Sequence, residues 1–137
     1  MKKILLGCFL LIVGASSALA QSSTLTITNN TNCAYLVELF NEQDDCNQSC
    51  SVQVCVPSGP GVTVPVNPCN PDWYWDRAIV TPTTDDCAPC TTNTLQVADP
   101  NWNNCFGLPT MVSAPSHCAG CGGFTVDFSS ITTLDIY

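Results

Sequence analysis

Two C-x-x-C segments, Cys87-Ala88-Pro89-Cys90 and Cys118-Ala119-Gly120-Cys121, have the spacing most suggestive of chemistry in this chain. In a thiol-disulfide oxidoreductase, the first thiolate of such a pair attacks and the second resolves the mixed disulfide. Two such pairs together also resemble a four-thiolate zinc site. A redox pair normally sits at a helix N-terminus beside a βαβ unit, which this sequence does not predict. We therefore favour structural disulfides to partners elsewhere, with no metal and no cofactor.

Other catalytic arrangements have few candidate residues. A Ser-His-Asp or Cys-His site would have to use His117, the single histidine, which has no nucleophile-elbow sequence around it. Glycoside hydrolysis needs two carboxylates facing each other across roughly 5 to 10 Å. Carboxylate pairs occur at Asp44-Asp45, Asp72 with Asp76, and Asp85-Asp86, but the sequence cannot place any pair so. Asp44-Asp45 and Asp85-Asp86 fall in predicted loops and are better explained as solvated turn residues. The sequence thus predicts no catalytic residue, and a redox or hydrolytic enzyme is kept as an alternative.

Tryptophans are the strongest candidates for ligand binding. Trp102 is flanked by Asn101 and Asn103, so its ring could stack on a sugar while the amides bond hydroxyls. The alternative is a Trp102 side chain folded back over a disulfide. In Trp73-Tyr74-Trp75, a strand would direct both tryptophans to one face, either into the core, which we favour, or outward as a stacking platform.

The N-terminus predicts export. Residues 1–20 combine a Lys-Lys start, a short apolar run and a small-residue end, which are the parts of a signal peptide cleaved before Gln21. Cleavage would remove Cys8 and leave an even number of cysteines, as complete pairing requires. We expect all ten in disulfides, in an extracellular or periplasmic compartment: Cys33, Cys46, Cys50, Cys55, Cys69, Cys87, Cys90, Cys105, Cys118 and Cys121.

Charge restricts the possible partners. Residues 21–137 keep Arg77 as their single Lys or Arg against 11 Asp and Glu, a net charge of about −10. Such a surface repels phosphate backbones and anionic lipids, which argues against nucleic-acid and electrostatic membrane binding. No further segment is apolar enough to span a membrane. The expected partners are a glycan or a protein at the cell surface.

Strand signals dominate the elements that would position these residues. Ten prolines and the absence of a 3.6-residue apolar period argue against helices. Pro57 to Gly61 predicts a turn that joins 52–56 and 62–66 as a hairpin, with Pro65 favouring an edge strand. We predict one domain over 21–137, a two-sheet β-sandwich, Ig-like or jelly-roll, with seven or eight short strands; these are 25–28, 35–40, 52–56, 62–66, 73–80, 94–98, 124–128 and 133–137.

Both ends of this predicted domain are strands, which raises the possibility of self-assembly. Leu25 and Ile27 alternate near the N-terminal end, and Leu134 and Ile136 alternate at the C-terminal end. Such strands either complete their own sandwich or add to the sheet of a neighbouring subunit. The sequence therefore favours a secreted or surface-exposed, disulfide-rich structural or binding protein without catalytic activity, with a carbohydrate-binding module as the second hypothesis.

Overall fold

The computed structural model describes residues 24–42, 48–64, 74–100, 106–116 and 118–137, and these residues form two β-sheets without a helix. They therefore contain no helix of the length and apolarity that a membrane crossing requires. The strands are β1 Leu25–Asn29, β2 Ala34–Glu42, β3 Gln48–Val56, β4 Gly59–Val64, β5 Arg77–Thr83, β6 Leu95–Ala98, β7 Met111–Ala114, β8 Phe124–Ser130 and β9 Thr133–Ile136.

The strands divide into a five-stranded and a four-stranded sheet. The first has the order β4-β1-β9-β8-β7 and the second β3-β2-β5-β6. Every pairing is antiparallel except that of β1 with β9, which is parallel. The predicted all-β, two-sheet sandwich is confirmed, with nine strands described.

Alternating side chains build one core between the sheets. Leu25 and Ile27 of β1 and Val126 and Phe128 of β8 are fully buried, while the residues between them are more exposed. This period of two is what a sheet covered on one face requires. The Tyr35 ring of β2 meets the Phe124 ring of β8 at 5.0 Å between centroids, which joins the two sheets directly.

Two details differ from the sequence prediction. The predicted hairpin across Pro57 to Gly61 is wrong, because β3 pairs with β2 while β4 pairs with β1 in the opposite sheet. The turn carries the chain from one sheet to the other, and β4 is an edge strand as expected. Strand β7 lies where we predicted a loop: its four residues are exposed or half-buried, so they give no strong apolar pattern.

The end strands are interior strands of their own sheet. β1 lies between β4 and β9, and β9 lies between β1 and β8. Both backbone edges of each are therefore already hydrogen-bonded within the chain. The sheet edges in the described part of the molecule are instead β3, β6, β4 and β7.

Strand register brings four connections to one end of the sandwich. The end of β1 lies beside the end of β9, and the start of β2 lies beside the ends of β3 and β5. The start of β8 lies beside the end of β7. This end, called the bridged end below, consists of residues 30–33, 55–58, 84–94 and 115–123 without residue 117.

Candidate functional site

Three disulfides connect the segments of the bridged end in series. They are Cys55–Cys87, Cys90–Cys118 and Cys33–Cys121, with Cα–Cα distances of 5.9, 5.6 and 5.9 Å. The first links the end of β3 to the loop after β5, the second links that loop to the loop before β8, and the third returns to the β1–β2 turn. Because these segments come from both sheets, the bridges hold the sheets together at this end.

Neither C-x-x-C segment is paired within itself. Cys87 and Cys90 bond to Cys55 and Cys118, and Cys121 bonds to Cys33. A dithiol redox centre or a thiolate zinc site would need these sulfurs in the reduced state. The described residues include no other grouping of His, Cys, Asp and Glu suited to a metal ion. Cys50 is also disulfide-bonded; Cys46, Cys69 and Cys105 lie outside the described residues.

Such a density of bridges in a small all-β fold is typical of extracellular proteins. Disulfides persist in oxidising compartments and are rare where thiols are kept reduced. The three described bridges span 88, 32 and 28 residues of sequence, so each closes a long loop. This is a disulfide-rich protein of the extracellular type.

Two of the bridges form part of the wall of a cleft of about 560 Å³. The cleft lies between the β1–β2 turn, the β5–β6 loop and the β7–β8 loop, which are the segments that the bridges fix. A volume of this size is within the range of small-molecule sites. The described lining residues are Asn32, Cys33, Ala34, Thr83, Thr84, Asp85, Cys90, Cys118, Ala119, Gly120 and Cys121.

The chemistry of this lining is that of a hydrogen-bonding surface. Asp85 is its one described ionisable side chain, because all four lining cysteines are oxidised. Thr83 is buried, and its hydroxyl has no hydrogen-bond partner among the described residues. A hydroxyl, an amide and a single carboxylate can each bond a polar ligand.

An acidic turn shapes one side of the cleft. The Asp86 carboxylate accepts a hydrogen bond from the Thr84 hydroxyl and one of 3.4 Å from the Ala88 amide. These bonds stabilise the charged form and hold the pKa of Asp86 below its ordinary value. Cys87 inside this turn has φ of +63°, a left-handed conformation that costs energy for a residue with a Cβ. The Asp85-Asp86 pair is therefore a turn structure, as we predicted.

Asn29 organises the opposite side of the cleft. Its buried Nδ2 donates to the carbonyl oxygens of Cys33 at 2.7 Å and Pro57 at 2.9 Å. Its Oδ1 accepts from the Thr31 amide at 3.0 Å and from the Thr31 hydroxyl at 2.8 Å. One side chain thus fixes the β1–β2 turn and ties it to the crossover between the sheets.

The position of Asn29 has a second consequence. Asn29-Asn30-Thr31 has the N-x-T pattern of a glycosylation acceptor, but the amide nitrogen that would carry the sugar is buried and donates two hydrogen bonds. The folded chain does not offer this nitrogen for modification. The sequence indicates Asn29 only as a glycosylation acceptor and not as an organiser of the turn; the signal for that role is a polar residue at an inward position of an alternating strand.

Tyr35 connects the turn to the core. Its hydroxyl oxygen lies within hydrogen-bond distance, 3.2 Å, of the Thr31 hydroxyl oxygen, and the residue is 1% exposed. Burial raises the pKa of Tyr35 above its ordinary 10.0, and the bond from Thr31 offsets part of that rise.

The tryptophan candidates belong to the other end of the sandwich or lie outside the described residues. Trp75, one of the candidate sugar contacts, is 1% exposed and forms part of the core, which is the placement that we favoured for this segment. The other candidate sugar contacts, Trp73, Trp102, Asn101 and Asn103, are outside the described ranges, as is His117. The sugar platform at Trp102 therefore stays a prediction.

Arg77 lies at the end of the sandwich opposite the bridged end. Its guanidinium carbon lies 4.2 Å from the centre of the Phe40 ring and 4.8 Å from that of Phe106. Asp76 precedes Arg77 in the chain, and Asp99 follows Ala98, the residue that pairs with Arg77. Both aspartates are buried, and the Asp99 amide donates to the Asp76 carbonyl at 2.8 Å. Two aromatic rings thus contact the guanidinium of Arg77, the single Lys or Arg of residues 21–137.

Comparison with known proteins gives no relative: no protein-family model, curated protein or solved structure matches this chain.

Proposed function

We propose that this protein is a secreted or surface-exposed, disulfide-rich structural or binding protein that acts without catalysing a reaction. The observation that carries the proposal is the cleft at the bridged end, whose walls are loops fixed by Cys33–Cys121 and Cys90–Cys118. Covalently fixed loops lose little conformational entropy on binding, so a modest set of contacts suffices for affinity.

Export is part of this proposal. The signal peptide over residues 1–20 would deliver the chain to the oxidising compartment in which its bridges form. The excess of acids over bases then acts as a solubility device and disfavours nucleic acids and anionic membranes as partners.

The cleft disfavours an anionic ligand and suits one rich in hydroxyl or amide groups. Asn32, Thr84 and Asp85 offer donors and acceptors at its surface, and no cationic side chain is present among its described lining residues. Sugar hydroxyls and peptide amides both match these groups. A glycan of the cell surface is the ligand class we propose to test first.

Blocking the cleft tests the proposal. The oxidised protein starting at Gln21 is titrated against a panel of soluble glycans by calorimetry, alongside Ala119→Trp, which places a large side chain on an exposed lining residue. The matched control is Ala88→Trp, on an exposed residue of the same end that does not line the cleft. We expect wild type and the control to bind equally and Ala119→Trp to lose at least about tenfold in affinity.

The same titration separates the alternatives. If Trp102→Ala abolishes binding and Ala119→Trp does not, the tryptophan platform is the site. If wild type binds no glycan, the sugar ligand is abandoned for both sites. Insulin-reduction and glycosidase assays on the same sample test the absence of catalysis, and turnover in either would contradict it.

A further inference from the structure

The longest described sheet edge is β3. Its pairing with β2 is irregular at its start, where the register skips Ser49, and Cys50 is held in a disulfide. From Ser51 to Val56 the strand is regular and has neither a charge nor a proline to protect its edge. It runs for nine residues, from Gln48 to Val56, and contains no charged residue and no proline. Its one neighbour among the described strands is β2. Natural edge strands are usually short, charged, interrupted by proline or covered, because unpaired backbone groups recruit other strands.

The other described edges are better protected. β6 and β7 have four residues each, and the end of β6 is tied to the segment before β7 by the bond from the Ala98 amide to the Pro109 carbonyl. β4 contains Pro60, which cannot donate to a further strand. Among the described edges, Ser51 to Val56 of β3 is therefore the longest stretch without such protection.

We infer that β3 is the contact edge of a symmetric dimer, in which the β3 strands of two copies of this chain pair antiparallel. The pairing would join the two four-stranded sheets into one of eight strands. β3 contributes no described residue to the cleft, so the dimer and the cleft are independent of each other.

The side chains of β3 favour a second copy as the occupant. Val52 and Val54 point inward and pack on the core but are only half-buried, so the apolar face is incompletely covered at this edge. A two-fold axis at Gln53 places Val52 of one copy opposite Val54 of the other on the inner face, and Ser51 opposite Cys55 on the outer face. Each side chain then meets one from the same face, as antiparallel pairing requires.

Charge supports the same choice. Two copies of so acidic a chain repel each other over most of their surface, but β3 brings no carboxylate into the contact. A basic partner segment would find no opposite charge on this strand. An isologous two-fold contact also closes on itself, so the expected product is a dimer and not a fibre.

A matched pair of glutamines tests the inference. Gln53 of β3 and Gln96 of β6 are both exposed and lie in the same row of the sheet, since Gln53 is opposite Glu38, Glu38 opposite Ile79, and Ile79 opposite Gln96. Gln53→Lys and Gln96→Lys therefore add the same charge at the two edges. Lysine at position 53 faces its own copy across the proposed axis, while beside Glu38 it is compatible with the fold.

Sedimentation velocity is measured on the oxidised protein starting at Gln21, from about 1 μM to about 1 mM, a range that covers dissociation constants typical of weak self-association. Wild type and Gln96→Lys are expected to form dimers with the same dissociation constant, and Gln53→Lys to raise that constant at least tenfold. Wild type that stays monomeric throughout, or equal effects of the two lysines, would overturn the inference.

Hydrogen exchange provides a readout that needs no variant. Amides of β3 are expected to gain protection in wild type at high concentration relative to low, while those of β6 do not change. A dimer that protects β6 or β7 in place of β3 would assign the contact to another edge and refute the proposal.

Discussion

Removing the Cys33–Cys121 bridge is the sharpest stability test of the bridged end. The variant carries Cys33→Ala and Cys121→Ala, and its matched control carries Cys55→Ala and Cys87→Ala. The two bridges span 88 and 32 residues of sequence, and they differ in burial, since Cys33 is buried and Cys55 is exposed. Because removing a buried sulfur also removes packing, the first pair should cost more stability than the second.

The magnitude follows from burial. In an unbridged chain, loops of 88 and 32 residues would cost about 4.6 and about 3.7 kcal/mol, but with the other two bridges in place the shortest loops that the two bridges close are similar in length. Cys33 is 6% exposed whereas Cys55 lies on the exposed face of β3, so the first pair should cost about 1 kcal/mol more. Losing the buried sulfur at Cys33 removes packing that the control retains.

Guanidinium unfolding of both oxidised variants at neutral pH gives the two free energies. Each variant should be destabilised by several kcal/mol, with the Cys33–Cys121 pair the less stable. A Cys33–Cys121 variant at least as stable as its control would refute this account of the bridge. Unchanged stability in both variants would show that the bridges do not hold the fold.

Three further predictions concern single side chains. Asn29→Asp should lower the free energy of unfolding by about 2–4 kcal/mol, because it removes the two hydrogen bonds donated to the Cys33 and Pro57 carbonyls. Asn30→Asp, on the exposed neighbour, should change it by less than about 0.5 kcal/mol. Equal losses in urea unfolding would contradict this. Above pH 10 the unfolded chain gives up a tyrosine proton that buried Tyr35 retains, so stability should fall as pH rises, and fall less in Tyr35→Phe; parallel unfolding curves against pH would exclude that cause. Phe106→Leu keeps apolar volume but removes the ring near Arg77, so thermal unfolding should show a loss of about 0.5–1 kcal/mol; no change would mean that the ring contributes nothing there.

The fold class could be predicted because alternation is a local signal. Leu25-Thr26-Ile27-Thr28 and Phe124 to Phe128 alternate apolar and polar residues, and both are strands with the expected faces buried. The pairing of strands is not local. Pro57 to Gly61 has the composition of a hairpin turn, yet the chain crosses between sheets there, since the neighbours of β4 are decided by packing of the whole core.

The candidate site could be predicted only in part. Abundant, evenly numbered cysteines indicated a bridged scaffold, but spacing cannot tell that Cys90 meets Cys118 and not Cys87. The cleft was not foreseen, because its walls come from three connections that are far apart in sequence and meet only through strand register. The structural role of Asn29 was not predicted for the same reason, because its hydrogen-bond partner Pro57 is 28 residues away.

Disulfide mapping of the exported protein, with intact mass and thiol alkylation, is the most direct test of a closed scaffold that binds and does not catalyse. The account predicts an N-terminus at Gln21, no alkylated thiol, no retained metal, and the bridges Cys33–Cys121, Cys55–Cys87 and Cys90–Cys118. Free thiols at Cys87 and Cys90, a bond between those two, or a bound zinc ion would contradict it and identify the C-x-x-C segments as a chemical centre.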